Sequence, residues 1–186
     1  MIEITSETIE RVQAVLAGVP KGAERALSNA MNRGLSRVKT TAMQNVKRVY
    51  AVQSSALSAA TNTKIQKAST GNLAGFVSFS GCKIPLYKFK VTPKQPGTGK
   101  MVRAAVMKGG GTAFEDAFIG GMGSGHLGVF ERTGRPRLPI EEFMALSAAQ
   151  MVGNEGVITE VEQQAQQLVE ERLDHEIERL LSQYGG

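Results

Sequence analysis

The chain has 186 residues, of which 41% are hydrophobic and only 5% aromatic, with 21 glycines and no tryptophan. This length fits one domain with a core of its own, built mainly from small and aliphatic side chains. Cys82 is the single cysteine, which excludes an internal disulfide and a cysteine-based metal site. Neither a signal-peptide pattern nor an apolar run of about 20 residues occurs, so we expect a soluble protein made in a reducing compartment, with no membrane contact.

The net charge of +5 is unevenly distributed along the chain. Residues 1–108 contain 17 Lys and Arg against 4 Asp and Glu, whereas residues 109–186 contain 5 against 13. No acidic residue lies between Arg25 and Lys108. A basic half suits a polyanion or an acidic neighbour. An acidic half on the same chain suits head-to-tail contact between identical subunits, so the pattern indicates assembly.

The first third of the chain has helical periodicity. Residues 2–17 predict an amphipathic helix capped by Ser6, and Pro20 suits the first turn of the next helix. That second helix is predicted over residues 21–49, with an apolar stripe of mostly small side chains that lets a partner backbone come close. Ser54 is predicted to cap a short third helix ending near Ala60. Residues 1–62 are therefore predicted to be helical.

The middle of the chain, residues 63–133, changes to the alternating pattern of strands. Strands are predicted at 73–80, 86–91, 102–107, 114–120 and 127–132. The Pro- and Gly-containing segment 92–100 is predicted to be a flexible basic loop.

Residues 134–186 are predicted to be mainly helical. Ser147 with Gln150, and Thr159 with Glu162, have the spacing of capping boxes, and the second pair is predicted to open a long, acidic last helix. Helices, then a small antiparallel sheet, then a helix give an α+β fold in a single domain over residues 1–186.

Two glycine-rich segments resemble nucleotide-binding motifs. Residues 123–128 match G-x-G-x-x-G, but that fingerprint needs a following helix, and residues 129–134 read as strand and turn. Residues 97–100 resemble the end of a P-loop, but Met101 occupies the place of the Mg²⁺-binding Ser or Thr. We therefore expect no nucleotide and no other cofactor.

Catalytic residues have little support in the sequence. His126 lies in a glycine loop without a carboxylate or serine at recognisable spacing, and His175 lies on an acidic helix. The adjacent pairs Glu115–Asp116 and Glu141–Glu142 do not converge as paired catalytic carboxylates do. The sequence predicts no catalytic residue and no metal site.

The basic residues are the candidates for contact with a partner. They can bind phosphates without reading sequence, contact a neighbouring subunit, or simply be solvated. No helix-turn-helix, zinc finger or aromatic RNA-binding signature is present. The candidate contact residues are Arg33, Arg37, Lys47, Arg48, Lys64, Lys67, Lys94 and Lys100.

Several segments together resemble the minor tail protein Z family of siphophages and prophages. The resemblance spans most of residues 20–152, and the order and spacing of the segments make it fairly specific. The segments are 27–33, 49–52, 57–61, 81–89, 104–108, 125–132 and 138–140, followed by Ser147 and Met151.

The resemblance implies a non-enzymatic virion protein, made in the bacterial cytoplasm, that completes the phage tail. It also implies a homo-oligomeric ring, commonly hexameric, at the head-proximal end or neck. Its partners would be the tail terminator, the tail tube and the head–tail connector proteins, with nonspecific contact to phage DNA. The acidic last helix departs from relatives that are basic throughout, and we assign it an outward or neighbour-binding role.

Two other classes of function remain open at this point. One is a free nucleic-acid-binding protein that uses the acid-free half of the chain. The other is an enzyme acting through His126.

Overall fold

The computed structural model of the protein describes residues 4–184. Among these residues five α-helices form: α1 Ser6–Val15, α2 Gly22–Val49, α3 Ser54–Ala59, α4 Ala148–Val152 and α5 Glu155–Tyr184. The strands of the same described range are β1 Asn62–Gln66, β2 Phe76–Ser80, β3 Lys83–Pro85, β4 Lys90–Thr92, β5 Val102–Ala105, β6 Thr112–Phe114, β7 Phe118–Gly121, β8 Leu127–Arg132, β9 Ile140–Glu142 and β10 Met144–Ser147. The predicted α+β class is confirmed.

The chain divides into two compact units. The helical unit comprises Met1–Met43, Thr63–Ser78 and Glu155–Gly186. The β-rich unit comprises Gln44–Asn62 and Phe79–Asn154. The units alternate along the sequence because the last helix completes the unit that the first two helices begin.

Apolar residues at helical spacing form the core of the helical unit. Their three- and four-residue spacing places them on one side of each helix, where α1, α2 and α5 meet. The buried residues of this core are Val12, Leu16, Val19, Ala23, Ala26, Leu27, Ala30, Val169, Leu173 and Leu180. The predicted stripe of α2 is confirmed.

Gly34 marks a close approach of two helices. A Cβ at Gly34 would lie 2.5 Å from Cγ2 of Val169 and 3.6 Å from the carbonyl oxygen of Ala165. Only glycine leaves room for α5 at this level of α2. The expectation that a partner backbone comes close to α2 is confirmed, and the partner is the last helix of the same chain.

A two-stranded sheet of β1 and β2 accompanies the helical unit. The loop between these strands is held on α2 by Asn32, whose Nδ2 donates to the Ala68 carbonyl oxygen at 2.9 Å. The Ala68 amide donates to Asn32 Oδ1, also at 2.9 Å. Ala68 is buried. The two hydrogen bonds satisfy both backbone groups of a buried loop residue.

The β-rich unit contains three small sheets in the orders β10–β3, β4–β5–β6 and β7–β8–β9. Neighbouring strands in all three sheets are antiparallel. Their shared core consists of Leu86, Val91, Val102, Ala104, Ile119 and Val129. The rings of Phe114 and Phe143 extend it edge to face, with centroids 5.1 Å apart.

The end of α2 is fixed within the β-rich unit. Tyr50 bridges Met107, and the Ala51 amide donates to the Val106 carbonyl oxygen at 2.9 Å. Burial raises the pKa of Tyr50, an effect that its hydrogen bond with the Asn154 side chain partly offsets. Backbone pairing thus continues past the end of β5 to Val106 and Met107. It anchors Tyr50 and Ala51, which follow α2.

Helix ends differ from the prediction in three places. Thr5, not Ser6, caps α1, because its side chain accepts from the Thr8 amide. Gln53, not Ser54, is the N-cap of α3. The last helix begins at Glu155, directly after α4 ends, so Thr159 lies inside it and does not cap it. The capping box of Ser147 and Gln150 is confirmed.

Several strands also differ from the prediction. Residues 114–120 were expected to form one strand, but β6 ends at Phe114 and β7 begins at Phe118 because residues 115–116 bend the chain. The strand predicted over residues 73–80 begins at Phe76.

Two further segments differ in the type of structure. Residues 86–91 were expected to form one strand, but Leu86–Lys88 forms a 3-10 turn in which the Phe89 amide donates to Leu86. This turn buries Leu86 and Phe89 three residues apart, so the alternation is not that of a strand. In the region 134–186, predicted to be mainly helical, β9 and β10 are strands because they pair with β8 and β3.

Candidate contact surfaces

Several charged residues of the helical unit are paired within that unit. Asn29 Nδ2 donates to Glu176 Oε2 at 3.1 Å, and Arg179 Nη2 donates to the same oxygen at 2.7 Å. Arg11 Nη2 lies 3.3 Å from Oδ1 of Asp174. Two of the carboxylates of the acidic last helix, Asp174 and Glu176, are therefore paired with cations of the same unit.

Glu176 shows which physical effect prevails at that cluster. Partial burial would raise the pKa of Glu176, but hydrogen bonds from Arg179 and Asn29, with the charge of Arg179, outweigh it. The net result is a pKa below the ordinary value of 4.5. The carboxylate is thus a stabilising element of the folded helical unit above that pH.

The helical unit holds half of the predicted contact residues. Arg33 and Arg37 are exposed one turn apart on α2, and Lys64 and Lys67 are exposed on or just after β1. Arg37 lines a shallow groove together with Gln164, Gln167 and Glu171 of α5, among others. Its guanidinium therefore has acidic and amide groups of the same chain nearby.

The β-rich unit holds the other half. Lys47 and Arg48 are exposed in the last turn of α2, where positive charge suits the helix dipole. Lys100 lines a shallow cleft whose walls include Glu115 and Arg132. The eight candidate contact residues are therefore distributed over both units.

Lys94 is engaged within its own loop. Its Nζ donates to the Phe89 carbonyl oxygen at 3.4 Å and lies 5.1 Å from the centre of the Tyr87 ring. The Tyr87 hydroxyl in turn donates to the Lys94 carbonyl oxygen at 2.9 Å. Burial and the nearby charge of Lys88 lower the pKa of Lys94. Residues 92–100, predicted to be a flexible loop, are thus tied to the core at one end.

His126 and Glu142 form a pair that the sequence reasoning missed. His126 Nε2 lies 2.8 Å from Glu142 Oε1, and both side chains are partly buried. His126 lies just before β8 and Glu142 ends β9, so the sheet brings together residues 16 positions apart. The sequence has no carboxylate at recognisable spacing from His126, because the pairing of β8 with β9, not local spacing, brings Glu142 to it.

The pair depends on a glycine beside it. A Cβ at Gly128 would lie 2.5 Å from Glu142 Oε1 and 2.8 Å from Cζ of Phe130. This glycine of the G-x-G-x-x-G match lies within β8, whereas a dinucleotide fingerprint continues into a helix. The segment connects two strands and leaves room for the hydrogen bond between His126 and Glu142.

Lys90 and Arg103 are two further exposed cations that the candidate set omitted. Thr92 pairs with Arg103 and Lys90 pairs with Ala105 across β4 and β5, so all four residues share one face of the sheet. The sequence indicates that Lys90 and Arg103 lie on exposed faces of strands, because basic residues alternate with apolar ones in both segments. The register of the two strands was needed to place them together.

Within residues 4–184, no group of three or more His, Cys, Asp or Glu side chains is placed to hold a metal ion. None of the helices in that range is long and apolar enough to cross a bilayer.

Comparison with known proteins identifies a family. The sequence model of a family described as prophage minor tail protein Z matches residues 8–184. Searches of curated proteins and of solved structures return no significant match.

Proposed function

Because the chain belongs to the prophage minor tail protein Z family, we propose that this structural protein of the phage tail forms a ring at the head-proximal end of the tail. The ring, hexameric in this proposal, supports head–tail joining and DNA passage. The single observation that carries the proposal is the family match over residues 8–184, which includes both units of the fold.

Exposed apolar side chains support assembly with neighbours. Leu138 is 66% exposed, and Met101, Met107 and Met144 are each close to half exposed, all in the β-rich unit. Methionine is flexible and polarisable, and it is enriched in the buried parts of protein interfaces. Subunits of a ring cover such side chains in the assembled particle.

The proposed partners are further copies of the chain, the tail terminator, the tail tube and the head–tail connector. The unequal distribution of charge supports contacts between unlike surfaces, as in a closed ring with head-to-tail interfaces. Basic residues on both units leave DNA as a further, nonspecific partner.

A phage carrying a stop codon in this gene tests the proposal. We expect lysates that contain filled heads and separate tails, and a plasmid copy of the wild-type gene should restore joined particles. Electron microscopy counts the three kinds of particle directly. Normal joined virions in the absence of the protein would contradict the proposed role in head–tail joining.

A further inference from the structure

One face of the β4–β5–β6 sheet carries two exposed cations, Lys90 and Arg103. We propose that this face is a binding site for the phosphate backbone of double-stranded DNA, centred on Lys90 and Arg103. The inference rests on the proposed function in one respect: a protein at the head–tail junction is close to the DNA that passes through it. The proposed function names no surface for that contact.

Strand register puts the two cations on the same side of the sheet. Thr92 pairs with Arg103, and Lys90 pairs with Ala105. Arg103 pairs in turn with Ala113 of β6. Val91 and Ala104 pair on the opposite face and are buried in the core of the β-rich unit. The cations therefore cannot turn inward without moving the sheet.

The residues around the two cations have small side chains, which project little from the sheet. Ala113 is exposed on the same face, Ala105 on that face is buried, and Gly110 and Gly111 border a shallow depression that Lys90 and Arg103 also line. Added Cβ atoms at these glycines would have no heavy atom closer than 3.6 Å. A rigid polyanion can approach such a surface closely, and the cations can then reach its phosphates.

This face has no counter-charge from residues 4–184. In the described part of the chain, no carboxylate pairs with Lys90 or Arg103, and no acidic residue lines the depression. The acidic helix α5 of a second copy is a weaker candidate. Its Asp174 and Glu176 are already bound by Arg11 and Arg179, and Glu170 and Glu171 accept from Gln166 and Gln167. A DNA phosphodiester stays charged at every pH in use, and release of its condensed counterions favours binding at low salt.

The test measures binding of the purified full-length chain to a fluorescent DNA duplex of about 30 base pairs, at about 50 to about 200 mM salt. The double variant Lys90→Gln/Arg103→Gln should weaken binding on the order of tenfold or more at the low-salt end. It should also reduce the slope of log affinity against log salt by about 2, which is about one unit for each phosphate contact removed. Lys90→Arg/Arg103→Lys should keep most of the affinity.

The matched control is Lys39→Gln/Arg172→Gln, which removes the same charge from two exposed positions of the helical unit that lie outside the candidate contact set. An equal loss in both double variants would overturn a local site, as would failure of the wild-type chain to bind the duplex. Thermal melting checks that both variants are folded, and light scattering measures self-association. Loss of self-association with unchanged DNA binding would assign the face to a second copy. Absence of the protein from virions would instead refute the proposed function, so the two failures are distinguishable.

Discussion

The side chain of Asn32 binds both backbone groups of Ala68, a residue 36 positions away. The amide nitrogen and the carbonyl oxygen of Asn32 each make a 2.9 Å hydrogen bond, so one side chain fixes the β1–β2 loop on α2. Ala68 is buried, and its backbone groups have poor access to water. Asn32 is thus a structural anchor of the helical unit.

We predict that Asn32→Asp lowers the free energy of unfolding by about 1 to 3 kcal/mol, because the aspartate accepts but no longer donates and leaves the Ala68 carbonyl unsatisfied. Urea denaturation followed by circular dichroism measures this change. Ser36→Ala is the control, because Ser36 is exposed on the same helix and bonds only to the preceding turn. Equal stability of the two variants would show that the loop is not held by Asn32.

Gly34→Ala tests the contact between α2 and α5. The new methyl group would meet Val169, and this overlap is expected to cost about 1 to 3 kcal/mol, in excess of the gain in helix propensity. Thermal melting should show a lower Tm, whereas Gly18→Ala, with no heavy atom within 4 Å, should not. Adding Val169→Ala should cost less in the Gly34→Ala background than in the wild type. Strictly additive effects would contradict the close approach.

We predict that Glu176 makes the free energy of unfolding depend on pH. The folded-state pKa of this carboxyl is lowered, so its contribution is present above the unfolded value near 4.5 and is lost as the pH falls through the folded pKa. Glu176→Gln should therefore destabilise the protein by about 1 kcal/mol at neutral pH and by less at an acidic pH below 4.5. Urea titrations at both pH values measure the difference. Glu178→Gln, an exposed neighbour, should show little effect at either pH, and a pH-independent loss in Glu176→Gln would contradict the account.

Two substitutions at the His126–Glu142 pair compare the stability cost of steric overlap with that of losing the hydrogen bond. Gly128→Ala should destabilise the β-rich unit by about 1 to 3 kcal/mol, because its Cβ overlaps the Glu142 carboxylate and the Phe130 ring. His126→Ala should cost less, about 1 kcal/mol or below, since the pair is partly solvent-exposed. Gly123→Ala, in open space, is the control for both.

The same His126→Ala variant addresses the enzyme hypothesis. We expect a plasmid carrying it to restore joined particles in the stop-codon phage as fully as the wild-type gene does. A folded His126→Ala protein that fails to restore them would point to a chemical role for the pair. Thermal melting of the purified variant decides whether it is folded.

Local patterns in the sequence predicted the helices well. The three- and four-residue spacing along α2 marked its buried side, and its small residues indicated a close neighbour before Gly34 and Val169 were seen in contact. The capping box at Ser147 was readable because all of its groups lie within four residues. Each of these features depends on near neighbours along the chain.

Features made by distant residues were not predictable. Asn32 reaches Ala68, and His126 reaches Glu142, only after strands and helices have packed. Lys90 and Arg103 share a face because of a pairing register that alternation alone does not specify. Thr159 had the spacing of a cap, but a helix start at Glu155 placed it in the interior of the helix.

Electron microscopy of virions in which this protein carries a gold-binding tag tests the central claim most directly. The proposed ring predicts label confined to the junction between head and tail in joined particles. An untagged phage treated with the same gold reagent is the control for background label. Label along the tail shaft, or its absence from particles while the protein is found on DNA in the lysate, would contradict the proposal.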